Sequence, residues 1–353
     1  MRTVQPHSSK KSQLGPLFRI VREELTGVER ELRNFLPQKE LAKISRNGIG
    51  FQPIIDATNH IINAGGKRLR PALVLLSSRA CNYRGSKSVS MAAAVELIHV
   101  ATLVHDDLLH DSVLRRGKET VNAKWDPETA LLVGDNLYLK TLSIIANNKD
   151  LLENNSNIKV LRLILDTAYS IFQGEVHQFA KKDDFDISEK EYFQIIEGKT
   201  ASFISACCRA GAFLADSPEA AEKKFARYGL NLGIAFQIVD DLLDLVADHR
   251  QLGKSVGSDF RDGRCTLPYI HFLREAQPAE RKQLLSFLKP EARKKVRTSS
   301  VTKLLEKNNS IDYSYQIAEK YASRAKKELA SIPESPAKES LINLCDYVVQ
   351  RKL

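Results

Sequence analysis

Lys87 to Asp111 reads KSVSMAAAVELIHVATLVHDDLLHD, and it decides the fold. Apolar residues recur there at three- and four-residue spacing on more than one face, the pattern of a helix inside a large bundle. The run closes on Asp106-Asp107-Leu108-Leu109, and the same four residue types return at Asp240 to Leu243 after a second apolar run, GLNLGIAFQIV. Carboxylates that end an apolar helix must face a polar cavity, because a buried unpaired charge is too costly. Asp244 extends the second copy to D-D-x-x-D, and at i and i+4 on a helix Asp240 and Asp244 can share one ion. Two such clusters facing each other would hold several hard divalent cations and, through them, a phosphorylated ligand. The first copy departs from this pattern: its fifth position is His110, and the third acid comes one residue late, at Asp111.

Working outward, the helical period continues through NIKVLRLILDTAYSIFQGEVHQFA and YFQIIEGKTASFISACCRAGAFLA. Alternating strand patterns flanked by hairpin turns are absent, so the expected fold class is all-α. Gly65-Gly66 precedes a helix start around Pro71, Asp126-Pro127 begins another, and Pro333 and Pro336 separate the last two. No linker interrupts the pattern. One domain is expected over residues 16–353, preceded by a disordered basic tail over residues 1–15.

Composition narrows the class. The 353 residues are 43% hydrophobic and 27% charged, with five cysteines and no C-x-x-C pair. That excludes a zinc ribbon and fits a reducing, cytoplasmic location. Glu96, His99 and His105 interrupt the most apolar stretch, so no transmembrane helix is expected. The net charge of +10 is spread along the chain, without interleaved aromatics, so nucleic acid is not an expected partner. An anionic substrate, or at most peripheral contact with an acidic membrane surface, accounts for the charge equally well.

GGKRLRP, Gly65 to Pro71, lacks the spacing of a nucleotide-binding P-loop. Its glycines free backbone N–H groups near a helix start, and Lys67 and Arg70 add a point charge and a fork for diphosphate oxygens. His99 by itself reads as a satisfied core histidine. Lys199-Thr200 places a cation within an apolar helix where packing needs none, which suits an anion nearby.

These pieces occur together with HVATLVHDD…RRGKETVN, LLVGDNL, FQGEVHQ, EGKTASF, FQIVDDLLD, LGKSVGSD and DGRCTLP. In that order they resemble the trans-isoprenyl (polyprenyl) diphosphate synthase family from about Phe18 to the C-terminus, medium- and long-chain members such as octaprenyl diphosphate synthase among them. The resemblance implies a single helical bundle around a deep apolar cavity, the isoprenoid synthase fold, as a homodimer. It implies a prenyltransferase that condenses isopentenyl diphosphate with an allylic diphosphate of the farnesyl or geranyl type, in trans, head to tail. Several Mg2+ ions would be held by Asp106, Asp107, Asp240, Asp241 and Asp244. For the acid missing at position 110 two readings stay open: Asp111, at i+4 from Asp107, takes its place, or Asp106 alone anchors that ion with water completing the octahedron. Asp106, Asp107, Lys199, Asp240 and Asp241 would be catalytic. Arg115, Lys199, Thr200, Gln237 and Lys254 match positions that contact the allylic diphosphate, while Lys67, Arg70, His99 and Arg116 match those that bind isopentenyl diphosphate.

Two departures shape the expectations. Imidazole is a poor ligand for magnesium, so His110 opens an alternative reading as a catalytically weak or regulatory subunit of a heteromeric synthase. One turn before Asp106 stand Ala101 and Thr102, without rings, where aromatic residues stop growth in short-chain members. A medium or long product is therefore expected. A terpene cyclase is disfavoured because its second motif, of the N-D-x-x-S-x-x-x-E type, is missing.

Overall fold

The structure, a computed structural model, describes residues 15–34, 52–147, 156–246, 257–293 and 295–351. Helices α1 (Arg22–Asn34), α2 (Gln52–Ile62), α3 (Leu69–Ala80) and α4 (Lys87–Leu109) lead into a small hairpin of β1 (Leu114–Arg115) and β2 (Lys118–Glu119). Helices α5 (Val121–Lys124), α6 (Pro127–Asn147), α7 (Ser156–Ala180) and α8 (Glu189–Ile196) follow. A single π-helical turn, Glu197–Ala201, joins α8 to α9 (Ser202–Leu214). The rest is α10 (Glu219–Val246), α11 (Ser258–Asp262), α12 (Leu267–Glu275), α13 (Pro278–Leu288), α14 (Pro290–Arg293), α15 (Thr298–Lys307), α16 (Ser310–Glu328) and α17 (Pro336–Gln350).

The all-α expectation is met. One contiguous core runs from Phe18 to Val348. Helix α4 lies within it, against α1, α3, α6 and α9, and every side chain from Met91 to Ile98 is buried. A helix apolar on all sides has to sit there, each buried Leu or Val contributing about 1.5–3 kcal/mol. Helix α10 is the second central rod, packed on α9, α16 and the π-helical turn.

Three sequence expectations need correction or limitation. By length and composition α4 does qualify as a membrane span, but most of its apolar window is buried inside the protein, which makes it a core helix. The hairpin exists, with Leu114 opposite Glu119 and Arg115 opposite Lys118. Two-residue strands are too short to show alternation, and Arg116 (φ 54°) and Gly117 (φ 74°) supply the two left-handed residues that so tight a turn needs. Residues 1–14 of the expected tail lie outside the described residues.

Candidate active site

The two acid motifs end their helices differently. Helix α4 stops at Leu109, with His110 as its cap and Asp111 in the left-handed region at φ 47°. Asp111 N–H donates to the Leu108 carbonyl (3.3 Å) and Ser112 N–H to the Asp107 carbonyl (2.9 Å), the bonding pattern of a Schellman cap. Asp111 therefore does not stack on Asp107 as a helical i+4 neighbour, and it is exposed. The expected substitution of Asp111 for the missing fifth acid loses its helical basis, although Asp111 still lines a cavity of about 400 Å³ with Asp106 and His110. Helix α10, by contrast, runs on to Val246, which keeps Asp240 and Asp244 on one face.

Within each motif the first acid is open and the second is locked. Asp107 is 2% exposed, and Arg115 Nε lies 2.8 and 2.6 Å from its two oxygens. Asp107, expected as a metal ligand, here pairs with and anchors Arg115. Asp241, also buried, accepts from Tyr192 Oη (2.7 Å) and Gln237 Nε2 (2.7 Å), while Gln237 Oε1 accepts from Thr200 Oγ1 (2.7 Å). Burial, with Asp259 nearby, pushes the Asp241 carboxyl well above its ordinary value. Asp244 accepts from Ser258 N–H and Oγ and from Asp259 N–H, which ties α10 to α11.

The open acids carry cations. Lys199 Nζ lies 2.9 Å from Asp106 Oδ1, 2.6 Å from Glu175 Oε2 and 2.6 Å from Gln178 Oε1. Arg115 Nη2 adds a 3.0 Å contact to Asp106. Burial would raise the Asp106 carboxyl, but Lys199 and Arg115 outweigh it and hold it well below the usual range. Asp240 pairs with Arg351 Nη1 at 2.7 Å.

Glycines bring Lys199 to this place. A Cβ on Gly174 would meet Lys199 N at 2.4 Å, and one on Gly198 would meet the Gly174 backbone at 3.1 Å. Only two glycines let α7 and the π-helical turn approach so closely, and π-turns are frequent at functional sites.

Two further cavities divide the basic residues. Arg115, Lys199, Thr200 and Gln237 line one of about 360 Å³, together with Asp240, Asp241 and Asp244. Lys67, Arg70, His99 and Arg116 line the other, of about 260 Å³. Asp240, Arg116 and Arg351 belong to both. In the smaller cavity Arg70 Nη1 is 3.2 Å from His99 Nε2, and burial beside Arg70 and Arg116 keeps the imidazole well below its ordinary pKa, hence neutral. Lys67 is lowered by burial and by Arg351. Arg68 of the same GGKRLRP stretch instead pairs with Glu29 (2.5 Å) and Glu96 (2.6 Å) in the core. Lys254 lies outside the described residues.

Sequence reading gave no role to Glu175, Gln178, Tyr192 or Arg351. The available signal for the first two was Gly174 and Gly198, small residues in two apolar helices that mark a crossing. Tyr192 reads as an ordinary core aromatic, and nothing near Arg351 places it beside α10.

A family model described as polyprenyl synthetase matches residues 52–306. A geranylgeranyl diphosphate synthase from Saccharolobus solfataricus is 36% identical over 304 residues, 86% of this chain and 91% of that protein. An octaprenyl diphosphate synthase from Escherichia coli is 36% identical over 292 residues, 83% of this chain and 88% of that one. The crystal structure of a polyprenyl synthase from Caulobacter crescentus CB15, complexed with calcium and isoprenyl diphosphate, superposes with a TM-score of 0.85 at 32% identity, covering 98% of this chain and 100% of that chain. With two acid motifs and two basic cavities meeting at Asp240, and with these likenesses along most of its length, the chain belongs to the polyprenyl synthetase family.

Proposed function

We propose that the chain is a prenyltransferase joining isopentenyl diphosphate to an allylic diphosphate, in trans and head to tail, to lengthen a polyprenyl diphosphate. The observation that carries this reading is the pair of cation-lined cavities sharing Asp240, Arg116 and Arg351, one space for each diphosphate. Arg115, Lys199, Thr200 and Gln237 would grip the allylic diphosphate, with Lys254 as a further expected contact. Lys67, Arg70, His99 and Arg116 would hold the isopentenyl diphosphate.

The carboxylate oxygens of Asp106, Asp240 and Asp244 suit a hard divalent ion, Mg2+ in this reading, and the counter-ions now on Asp106 and Asp240 are side chains that can move. Bound there, the metal supplies positive charge that favours departure of the diphosphate. Lys199 and Arg115 add positive charge of their own as the allylic C–O bond breaks. The isopentenyl double bond then attacks the allylic cation, and proton loss to the released diphosphate restores an allylic product. Ile195, Ile196 and Leu243 line the larger cavity beside the charged groups and limit the water that would quench the cation.

One turn before Asp106 stand Ala101, fully buried, and Thr102, whose hydroxyl is turned back to the His99 carbonyl (2.8 Å). Neither carries a ring, and on that a medium or long product of octaprenyl type is proposed. Membrane contact is peripheral, for product release, and the working location is the cytoplasm, where the free cysteines stay reduced.

A homodimer is proposed from one exposed apolar stripe. Tyr169, Phe172, Val176 and Phe179 follow one face of α7, and Leu132 and Leu139 lie on α6, which packs beside it. Monomers rarely leave such a patch uncovered. Phe172→Glu with Phe179→Glu should convert a dimer to a monomer in sedimentation velocity; a wild-type monomer would refute the pairing.

Incubation with Mg2+, farnesyl diphosphate and labelled isopentenyl diphosphate should yield lipid-soluble label, abolished by chelation, and chromatography should show products beyond C20. Farnesyl diphosphate alone from shorter starters would sink the chain-length reading. No product at all would favour a weak subunit of a heteromeric enzyme.

A further inference from the structure

We infer that Asp106, His110 and Glu175 form a mixed nitrogen–oxygen cation site that selects a borderline transition-metal ion, of the Mn2+, Co2+ or Zn2+ class, over Mg2+. This rests on the proposed reading of the first acid motif as a cation site, and goes beyond it in naming an imidazole and a helix-α7 carboxylate as ligands.

The three side chains come from two elements and offer donor atoms that all lie within 4.8 Å of one another. His110 Nε2 is 3.4 Å from Glu175 Oε1 and 3.7 Å from Asp106 Oδ1. Both separations are long for a strong hydrogen bond. They are close to the spacing of about 3 Å or a little more that two donors show when each sits about 2.1 Å from one ion. Since the helix ends at His110, the ring is the α4 side chain that turns toward α7, while Asp111 is carried away by the cap.

A second observation points to a cation here independently of the imidazole. The Lys199 ammonium already sits between the same two carboxylates, 2.9 Å from Asp106 and 2.6 Å from Glu175. It has a third partner, Gln178 Oε1 at 2.6 Å, to which it stays bound when an ion takes its place between the acids.

The ligand chemistry then sets the preference. Mg2+ demands oxygen donors in near-octahedral array, and an imidazole in its shell replaces a favoured ligand with a poor one. For Mn2+, Co2+ and Zn2+ imidazole is a normal ligand, with affinity rising from Mn2+ through Co2+ to a maximum at copper and falling back at Zn2+. With His110 where the second motif carries Asp244, the site binds Mg2+ less well and the transition ions as well or better.

The test uses the full chain with histidine alone labelled by 15N, loaded with Mn2+ and inorganic pyrophosphate. Electron spin-echo spectroscopy should show 15N coupling to the manganese in the wild-type protein and none in His110→Asp. Competition titrations should show the Co2+ to Mg2+ affinity ratio falling about 10-fold or more in His110→Asp. Histidine-specific label excludes Lys199 as the nitrogen source. Bound Mn2+ without 15N coupling in the wild type overturns the inference, as does coupling that persists in His110→Asp. The wild-type spectrum decides even if the variant folds poorly. Should the wild type bind neither Mn2+ nor Mg2+ with pyrophosphate, the cation reading of the motif itself fails; oxygen-only binding sinks the nitrogen ligand alone.

Discussion

The same four letters, Asp-Asp-Leu-Leu, end up in different surroundings at the two central helices. At Asp106 the helix stops within one turn, and the first acid takes its partners from elsewhere, Lys199 on the π-helical turn and Arg115 on the hairpin. At Asp240 the helix continues, Asp244 stays on the same face, and the partners are Arg351 at the C-terminal end and the backbone of α11. Helix continuity, more than the spelling of the motif, decides where a third acid points. The first motif recruits Glu175 from a neighbouring helix, and the second keeps its own.

If the two open acids are equal partners, Asp106→Asn and Asp240→Asn should each lower kcat by about 10³-fold, the scale of losing one preorganised electrostatic group in a closed site. Steady-state assays with labelled isopentenyl diphosphate measure both. A loss below 10-fold for Asp106→Asn alone would break the symmetry and leave the second motif as the working centre.

The locked acids allow a sharper contrast. Asp107 is held by a guanidinium and Asp241 by two neutral donors. Arg115→Met leaves a charge in a buried place and should cost about 3–5 kcal/mol of unfolding free energy. Tyr192→Phe removes one neutral donor and should cost about 1–3 kcal/mol. Urea unfolding of both variants, without metal, gives the order; equal costs would mean that the carboxyl of Asp107 takes up a proton once Arg115 is gone.

Much of this was legible beforehand, and the reasons are physical. Apolar periodicity gave the helices, because a helix buried on all sides must be written in apolar letters. Lys67, Arg70, His99 and Arg116, grouped by the resemblance, all line one cavity, and Arg115, Lys199, Thr200 and Gln237 another, with Arg116 bordering both. What failed was local and three-dimensional. The helical i+4 placement of Asp111 failed because the Schellman cap at His110 has no glycine to announce it. Arg68 reads like its basic neighbours, yet it is turned inward by Glu29 and Glu96, tens of residues away. Arg351 could not be placed because its partner Asp240 lies 111 positions away in sequence.

That C-terminal arginine supplies the smallest expected effect and the finest distinction between the motifs. Arg351 bonds Asp240, lies over the Phe236 ring at 5.0 Å, and faces Lys67 across the smaller cavity. An arginine shared between an acid proposed to bind metal and a cavity proposed to hold a diphosphate should serve binding more than chemistry. Arg351→Ala should raise KM for isopentenyl diphosphate about 10-fold, the value of one charge-assisted hydrogen bond, and leave kcat within about twofold. Arg351→Lys should recover part of the loss, limited by the missing fork and the weaker ring contact. A rise in KM for the allylic substrate instead would place Arg351 with the first acid motif, and the two ends of the site would be less distinct than their partners suggest.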